Sequence, residues 1–328
     1  MDAMIEYSLY ELHAIRPLSP IATKLKRPGA LLRVNGGVGC LQPFPELGDE
    51  PLKAQLEKLA DGVKTPGVDR ALKCAAIDGE ARRQGKSLFD GLEIPKSHYL
   101  LTDFLRFSQE EFRNVVSDCK NGGFSCIKIK GGRDLDAEIR QIEKLAWSCD
   151  GTDIKLRIDF NDQLTQQTYE AFLSKISSNV LSRVDYIEDP YPYEASQWSA
   201  SRKVKNVALA KDSNVGLVTE GFDAFIIKPA VQDPAPYVFG AAINKKRLVF
   251  TSYMDHPIGQ YYAAYEAALA SKNHPQLVDT CGLMTHNLFQ TNTFFEMLRS
   301  EGSRLLAPVG TGLGFDGALG SLDWKMLR

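Results

Sequence analysis

The 328-residue chain carries a net charge of −2, with 44% hydrophobic and 24% charged residues, the balance of an ordinary globular protein. A charge so close to zero gives no footing for nucleic acid or a membrane surface as partner. No apolar run reaches membrane-spanning length, Met1-Asp2-Ala3-Met4-Ile5-Glu6 lacks a secretory pattern, and the six cysteines without a CxxC read as reduced thiols of a cytoplasmic protein.

Residues 1–97 predict a smaller α+β domain. Tyr7 to Ile15 and Ala30 to Val34 read as strands on either side of the Pro17-Leu18-Ser19-Pro20 loop. Pro51 to Ala60 and Arg70 to Gln84 have helical periodicity, the latter stopped by Gly85. Near Pro95 the rhythm changes to regular alternation of strand and helix. Expected strands are Tyr99 to Thr102, Phe124 to Lys130, Ile154 to Phe160, Val184 to Glu188, Val207 to Lys211, Ala224 to Lys228, Leu248 to Thr251, and a weak eighth at Leu277-Val278. Expected helices between them include Gln109 to Cys119, Leu135 to Trp147, Gln166 to Ile176, Pro234 to Ile243 and Tyr261 to Ala270. The crossover between Asp212 and Asp223 is too short for a full helix and predicts a turn or loop. The tail over 303–328 contains Gly310-Thr311-Gly312-Leu313-Gly314, which mimics a nucleotide loop without the strand and helix such a loop requires. Packing against the N-terminal domain is the better expectation for it.

Charged side chains recur where the apolar runs end. Lys130 to Asp159 and Asp159 to Glu188 are each 29 residues, Glu188 to Asp212 is 24, and Asp212 to Lys228 is 16. The longer gaps fit one strand, a loop and a helix, the repeat of a parallel sheet. Functional groups on the C-terminal ends of successive strands point to a (β/α)8 TIM-type barrel over 98–302 rather than a doubly wound open sheet, which gathers ligands only at a switch point.

Asp159, Glu188 and Asp212 would repel one another if all were ionised in a partly buried site. A hard divalent cation with oxygen ligands, Mg²⁺ first and Mn²⁺ second, resolves that repulsion. Lys128 and Lys130 share a face of their strand. They either neutralise the acids or, with one ammonium depressing the other's pKa, supply a base. A lysine from each side of the barrel mouth, Lys130 and Lys228, suits removal of a proton next to a carboxylate, with the cation stabilising the resulting charge. His256, His274 and His286 fit no ligand spacing.

The Lys128-Ile129-Lys130 run, Asp159 and Asn161 as Asp-x-Asn, Glu188-Asp189-Pro190, Ala210-Lys211-Asp212-Ser213 and Ile227-Lys228-Pro229 together resemble the enolase superfamily. The muconate-lactonizing subgroup is the nearest branch and the o-succinylbenzoate synthases are the nearest family. A lysine or histidine base with Mg²⁺ is a general property of that superfamily. The likeness extends over essentially the whole chain, with Ala75 to Arg82 like the cap helix and Gly310 to Gly314 like the closing tail. It implies an N-terminal capping domain, a tail that returns to the cap, and a small-molecule carboxylate as partner. Lys130 would be the base, Lys128 would bind the substrate carboxylate, and Lys228 would steady the enolate. Asp159, Glu188 and Asp212 would hold Mg²⁺, Asn161 would stand behind them, and Thr251, Ser252 and Gly282 would face the distal part of the substrate. The implied reaction is syn loss of water from a cyclohexadiene carboxylate bearing hydroxyl and succinyl groups, a hydro-lyase step toward menaquinone.

Some positions depart from the pattern. Relatives often have Glu-Glu-Pro or Glu-Gln-Pro where this chain has Glu188-Asp189-Pro190, and Ser213 replaces a common Glu. Asp279-Thr280-Cys281 lacks the second acid with which dipeptide epimerases hold an α-ammonium group. N-succinylamino acid racemisation, or another cycloisomerisation on the same site, is the nearest alternative. A Schiff-base aldolase using Lys228 and a non-enzymatic Mg²⁺-stabilised barrel are the others. Loops Pro17 to Lys26 and Leu41 to Leu47 are expected to close over the mouth. The oligomeric state is not legible in the sequence, and a monomer is the default expectation.

Overall fold

The computed structural model describes residues 4–212 and 219–327. Three antiparallel strands, β1 (Ile5–His13), β2 (Lys26–Val34) and β3 (Gly37–Leu41), form the cap sheet. Two helices follow, α1 (Leu52–Ala60) and α2 (Pro66–Arg83). The sequence pattern missed β3, because Gly37 and Gly39 are poor strand residues. They are there because α2 lies directly on the strand. A Cβ on Gly39 would stand 1.9 Å from the carbonyl oxygen of Ala71, and one on Gly37 2.0 Å from that of Ala75.

Beyond the cap the alternation is regular: β4 (Tyr99–Leu101), α3 (Gln109–Asn121), β5 (Cys126–Lys130), α4 (Leu135–Ser148), β6 (Lys155–Asp159), α5 (Gln166–Lys175), α6 (Ser178–Arg183) and β7 (Val184–Glu188). Then come α7 (Ala195–Lys205), β8 (Leu209–Asp212), β9 (Ala224–Ile227), α8 (Pro234–Asn244), β10 (Arg247–Phe250) and α9 (Pro257–Asn273). Each helix from α2 to α9 starts with a side-chain cap, whereas α1, which follows Pro51, has none. Ser108 and Glu111 form a reciprocal capping box at α3, the loss of which costs about 1 kcal/mol.

Strands β4 to β10 pair in sequence order, all parallel. The eighth strand is too irregular to count as one, yet its bridges Leu248 to Val278, Thr251 to Gly282 and Ser97 to Cys281 close the ring. The fold is a (β/α)8 barrel with an N-terminal cap. The short crossover after Asp212 falls mostly on 213–218, outside the described residues.

Alternation along each strand sets what faces the axis. Ile127, Ile129, Leu156, Ile158 and Ile187 pack outward with Ile142, Leu145, Phe172 and Leu173 of the surrounding helices. Lys128, Lys130, Arg157, Asp159 and Glu188 take the alternate positions and point inward. Below the mouth one side of the barrel is therefore filled by a charged network, beside an apolar cluster of Tyr186, Ala210, Ala224, Ile226 and Val249. Buried Arg157 donates to Asp185 (2.7 Å), to the carbonyl of Thr280 (2.6 Å) and to His98 Nδ1 (3.2 Å), and its guanidinium lies over the Tyr186 ring. Arg247 bridges Asp185 (2.6 Å) and Asp279 (3.0 Å).

The tail returns to the cap. Lys325–Met326 pairs with β1, and the glycine run docks on α2. Fully buried Asp78 accepts from the backbone of Val38 (2.8 Å) and Leu313 (2.6 Å) and from Arg82 (2.6 Å), which also donates to the Gly314 carbonyl (2.8 Å). That run is a docking loop. All six cysteines are buried and free. Among the described residues no helix is long and apolar enough to cross a membrane.

Candidate active site

In the parallel register Lys130 stands beside Asp159, and Asp159 beside Glu188. Glu188 pairs with Ala210, so Asp212 lies on the same face two residues further toward the mouth. Lys228 follows the last residue of β9. The six charged residues named from the sequence thus come together. Lys128 Nζ lies 2.6 Å from Glu188 Oε2 and 2.9 Å from Asp159 Oδ2. Lys130 Nζ is 2.5 Å from the same Asp159 oxygen, and Lys228 Nζ pairs with Asp212 Oδ2.

Among the described residues no three His, Cys, Asp or Glu side chains form a ready-made metal cage. The ammonium groups satisfy the carboxylates instead. Burial, the Asp159 carboxylate and the Asp212 carboxylate push the pKa of Glu188 up, against the pull of Lys128 and Lys130. Burial also pushes Asp159 up, but Lys128 and Lys130 outweigh it and hold that carboxyl below the usual range. The Oδ1 atom of Asp212 is buried without any hydrogen-bond partner. Mutually repelling carboxylates and an orphaned buried oxygen on adjacent strands are a donor set that a hard divalent cation fits.

Asn161 donates its backbone N–H to Asp159 Oδ1 (3.0 Å). Asn161 and Asp162 both adopt left-handed φ, 48° and 58°, a conformation that Asn and Asp tolerate better than most residues. The departure at Asp189 has a structural account. Its Oδ1 accepts from Lys211 (2.9 Å) and from the backbone of Asp212 (3.2 Å), which orients the end of β8.

A cavity of about 380 Å³ opens at the strand ends. Lys130, Asp212 and Lys228 line it, with Asn161, Asp162, Gln232 and Tyr253 around them and Ser19, Ile21, Glu46 and Leu47 reaching in from the cap. Both loops expected over the mouth are thus represented. The second is firmly held: Glu46 pairs with buried Arg27 (2.9 Å), Phe44 meets Tyr253 edge to face, and Asp49 accepts from the Tyr253 hydroxyl (3.0 Å). Thr251, Ser252 and Gly282 cluster together, with the backbone N–H of Ser252 donating to the Gly282 carbonyl (3.0 Å), but they are not on that cavity's wall. A Cβ on Gly282 would lie 2.8 Å from both the His98 ring and the Thr251 methyl.

Sequence reasoning missed His98, Gln232 and Tyr253. His98 is buried, and its pKa is held far down by burial and by Arg157, Lys128 and Lys130. Because Arg157 can only donate, Nδ1 accepts and the proton sits on Nε2. Only its position immediately before the first barrel strand could have flagged it. Gln232 and Tyr253 sit on turns beyond strand ends, where a single sequence carries no periodic signal.

A capped (β/α)8 barrel with acids on three successive strand ends, flanked by lysines before and after, is the architecture of an enolase-superfamily enzyme. Solved structures bear out the fold. The L-Ala-D/L-Glu epimerase of Bacillus subtilis matches with a TM-score of 0.79 at 18% identity, covering 96% of this chain and 98% of its own. The dipeptide epimerase of Enterococcus faecalis, solved with Mg and the dipeptide L-Leu-L-Tyr, matches with a TM-score of 0.77 at 16% identity, covering 96% and 99%. A family model described as the N-terminal domain of O-succinylbenzoate synthase matches residues 5–81. An o-succinylbenzoate synthase of Bdellovibrio bacteriovorus is 33% identical over 335 residues, 99% of this chain and 98% of that protein. The chain belongs to the o-succinylbenzoate synthase family, and it is a lyase.

Proposed function

We propose that this enzyme is a Mg²⁺-dependent hydro-lyase that forms o-succinylbenzoate, in menaquinone biosynthesis, from a cyclohexadiene carboxylate bearing hydroxyl and succinyl groups. The observation that carries the reading is that Lys130 and Lys228 face one cavity while each is paired to a carboxylate of the same strand-end set. Asp159, Glu188 and Asp212 would hold the cation, with Asn161 bracing Asp159 through its backbone. Bound there, Mg²⁺ supplies positive charge against the substrate carboxylate as electron density moves onto it.

Lys130 is the base. Ion pairing holds Lys128 and Lys228 protonated, their pKa values raised by the facing carboxylates in spite of burial. Lys130 lines the cavity, whereas Lys128 does not and stands between Glu188 and Asp159. The Nζ of Lys130 takes the proton from the carbon next to the carboxylate, and that C–H electron pair moves into the carboxylate as an enediolate. Lys128 and Lys228 remain cationic and offset the new charge. Return of the electron pair forms the ring double bond and breaks the C–O bond to the hydroxyl. In a syn elimination the hydroxyl leaves on the face from which the proton was taken, so the ammonium of Lys130 protonates it to water. The cap loops exclude bulk water from these steps.

The eighth strand supports dehydration over amino-acid epimerisation. Asp279 is committed to Arg247 and Arg157 in the barrel floor, at 3.0 and 3.4 Å, and is not on the cavity wall. The experiment is incubation with the dehydratase substrate and Mg²⁺, with and without EDTA, following aromatic absorbance. Cation-dependent appearance of the aromatic product is expected. Turnover unaffected by EDTA, or none with Mg²⁺ present, refutes the reading.

A further inference from the structure

We infer that Arg70, a residue of the cap helix α2, is a positioning residue for the reaction, acting through the turn that carries Lys228. Its side chain is buried, 3% exposed, at the junction of cap and barrel. Nε donates to the carbonyl of Pro229 (2.9 Å), the residue next to Lys228. Nη1 reaches Asp233 Oδ1 (3.4 Å), and Nη2 donates to the Tyr262 hydroxyl (2.6 Å) and Glu266 Oε1 (2.8 Å) on α9. One guanidinium therefore grips both ends of the 229–233 segment and braces them against a barrel helix.

That segment is tightly wound. The N–H groups of Val231 and Gln232 donate to the Lys228 carbonyl (3.0 and 2.9 Å), and the Lys228 N–H donates to Gln232 Oε1 (2.7 Å). Asp233, at its far end, caps α8 by accepting from the Ala235 N–H (3.3 Å). A turn bonded this way moves as a unit, and it holds Lys228, Val231 and Gln232 on the cavity wall. Lysine, a long flexible side chain, reaches its reacting position only if its backbone is held. Here the hold comes from the cap. Docking of the cap thus sets where the Lys228 ammonium stands relative to Asp212 and Lys130, in addition to covering the mouth.

This inference rests on the reading of Lys228 as a catalytic cation, so the test measures both. Arg70→Met, Arg70→Lys and Lys228→Met are assayed by steady-state kinetics with Mg²⁺, each alongside a thermal melt. Misplacing a catalytic group by about 1 Å lowers turnover on the order of 100-fold. For Arg70→Met the expected result is kcat reduced about 10- to 100-fold, KM within about twofold, and partial recovery in Arg70→Lys. An Arg70→Met enzyme that melts lower but keeps wild-type kcat has lost only a structural bond, and the inference falls. Should Arg70→Met not fold, Arg70→Lys decides: reduced kcat at unchanged KM supports the inference, and wild-type kcat overturns it. If Lys228→Met is inactive while the Arg70 variants are not, Lys228 keeps its role and only Arg70 loses its own. If Lys228→Met is fully active, the catalytic reading of Lys228 fails, and this route fails with it.

Discussion

Replacing Asp255 by Asn should stabilise the protein, and by an amount that grows with pH. Asp255 is 1% exposed, just before α9, and neither carboxyl oxygen makes a well-formed hydrogen bond; the nearby backbone N–H groups of Tyr253 and of Asp255 itself offset burial only in part. The titratable groups around it give no relief. Tyr10 is hydrogen-bonded to Cys40 (3.1 Å), both have their pKa values raised, and His256 is pushed down to about 3 by burial, so all three are neutral. Burial moves the Asp255 carboxyl up from 3.8 to about 7. Between those values the native state holds a proton that the unfolded chain has lost. The slope of stability with pH is therefore negative, about −1.4 kcal/mol per unit. Across the window from 3.8 to about 7 the loss is on the order of 4 kcal/mol. An amide titrates nowhere in this range, but its buried N–H groups would lack partners, which costs about 1–3 kcal/mol at every pH. The stability difference between Asp255→Asn and wild type should thus be small or negative near pH 4 and clearly positive by pH 8. Denaturant or thermal unfolding of both proteins across pH 4 to 8 measures it. A difference that stays flat with pH would show that Asp255 is solvated or paired in the native state and refute the reasoning.

Lys130→Ala should keep the fold and lose roughly 10²- to 10⁴-fold in kcat, the contribution typical of a positioned general base, as read by initial rates with Mg²⁺ present. Circular dichroism separates lost chemistry from lost structure. Added Mg²⁺ should raise wild-type stability by about 2.7 kcal/mol at a hundredfold excess over its dissociation constant. Asp212→Asn should abolish most of that gain, measured by thermal shift, and an equal gain in the variant would remove Asp212 from the ligand set. Gly282→Ala should destabilise by about 1–3 kcal/mol, since its methyl would meet the His98 ring and Thr251 at 2.8 Å. A melt unchanged from wild type would mean that the eighth strand shifts freely at Gly282.

Much of this enzyme is legible in its sequence. Buried strands need apolar side chains on their helix-facing positions, and the 29-residue spacing of charged strand ends marks a βα repeat. That periodicity placed the barrel strands and five of the helices between them, though not α6 or α7, and singled out Lys128, Lys130, Asp159, Glu188, Asp212 and Lys228, because such a charge stands out where an apolar run ends. The strand β3 was invisible, since its glycines answer to a helix packed across them and not to strand propensity. The eighth strand read as weak because closure of the ring needs only scattered bridges there. Tertiary structure alone decided which lysine faces which carboxylate, and that Asp189 serves the backbone of Asp212. It alone showed that Thr251, Ser252 and Gly282 stand off the cavity wall, and that Arg70 reaches the peptide beside Lys228. These are contacts between residues up to 159 positions apart. Local sequence dictates the period of an element and the face on which a charge emerges, whereas the partner of that charge depends on how far the chain has travelled when it returns.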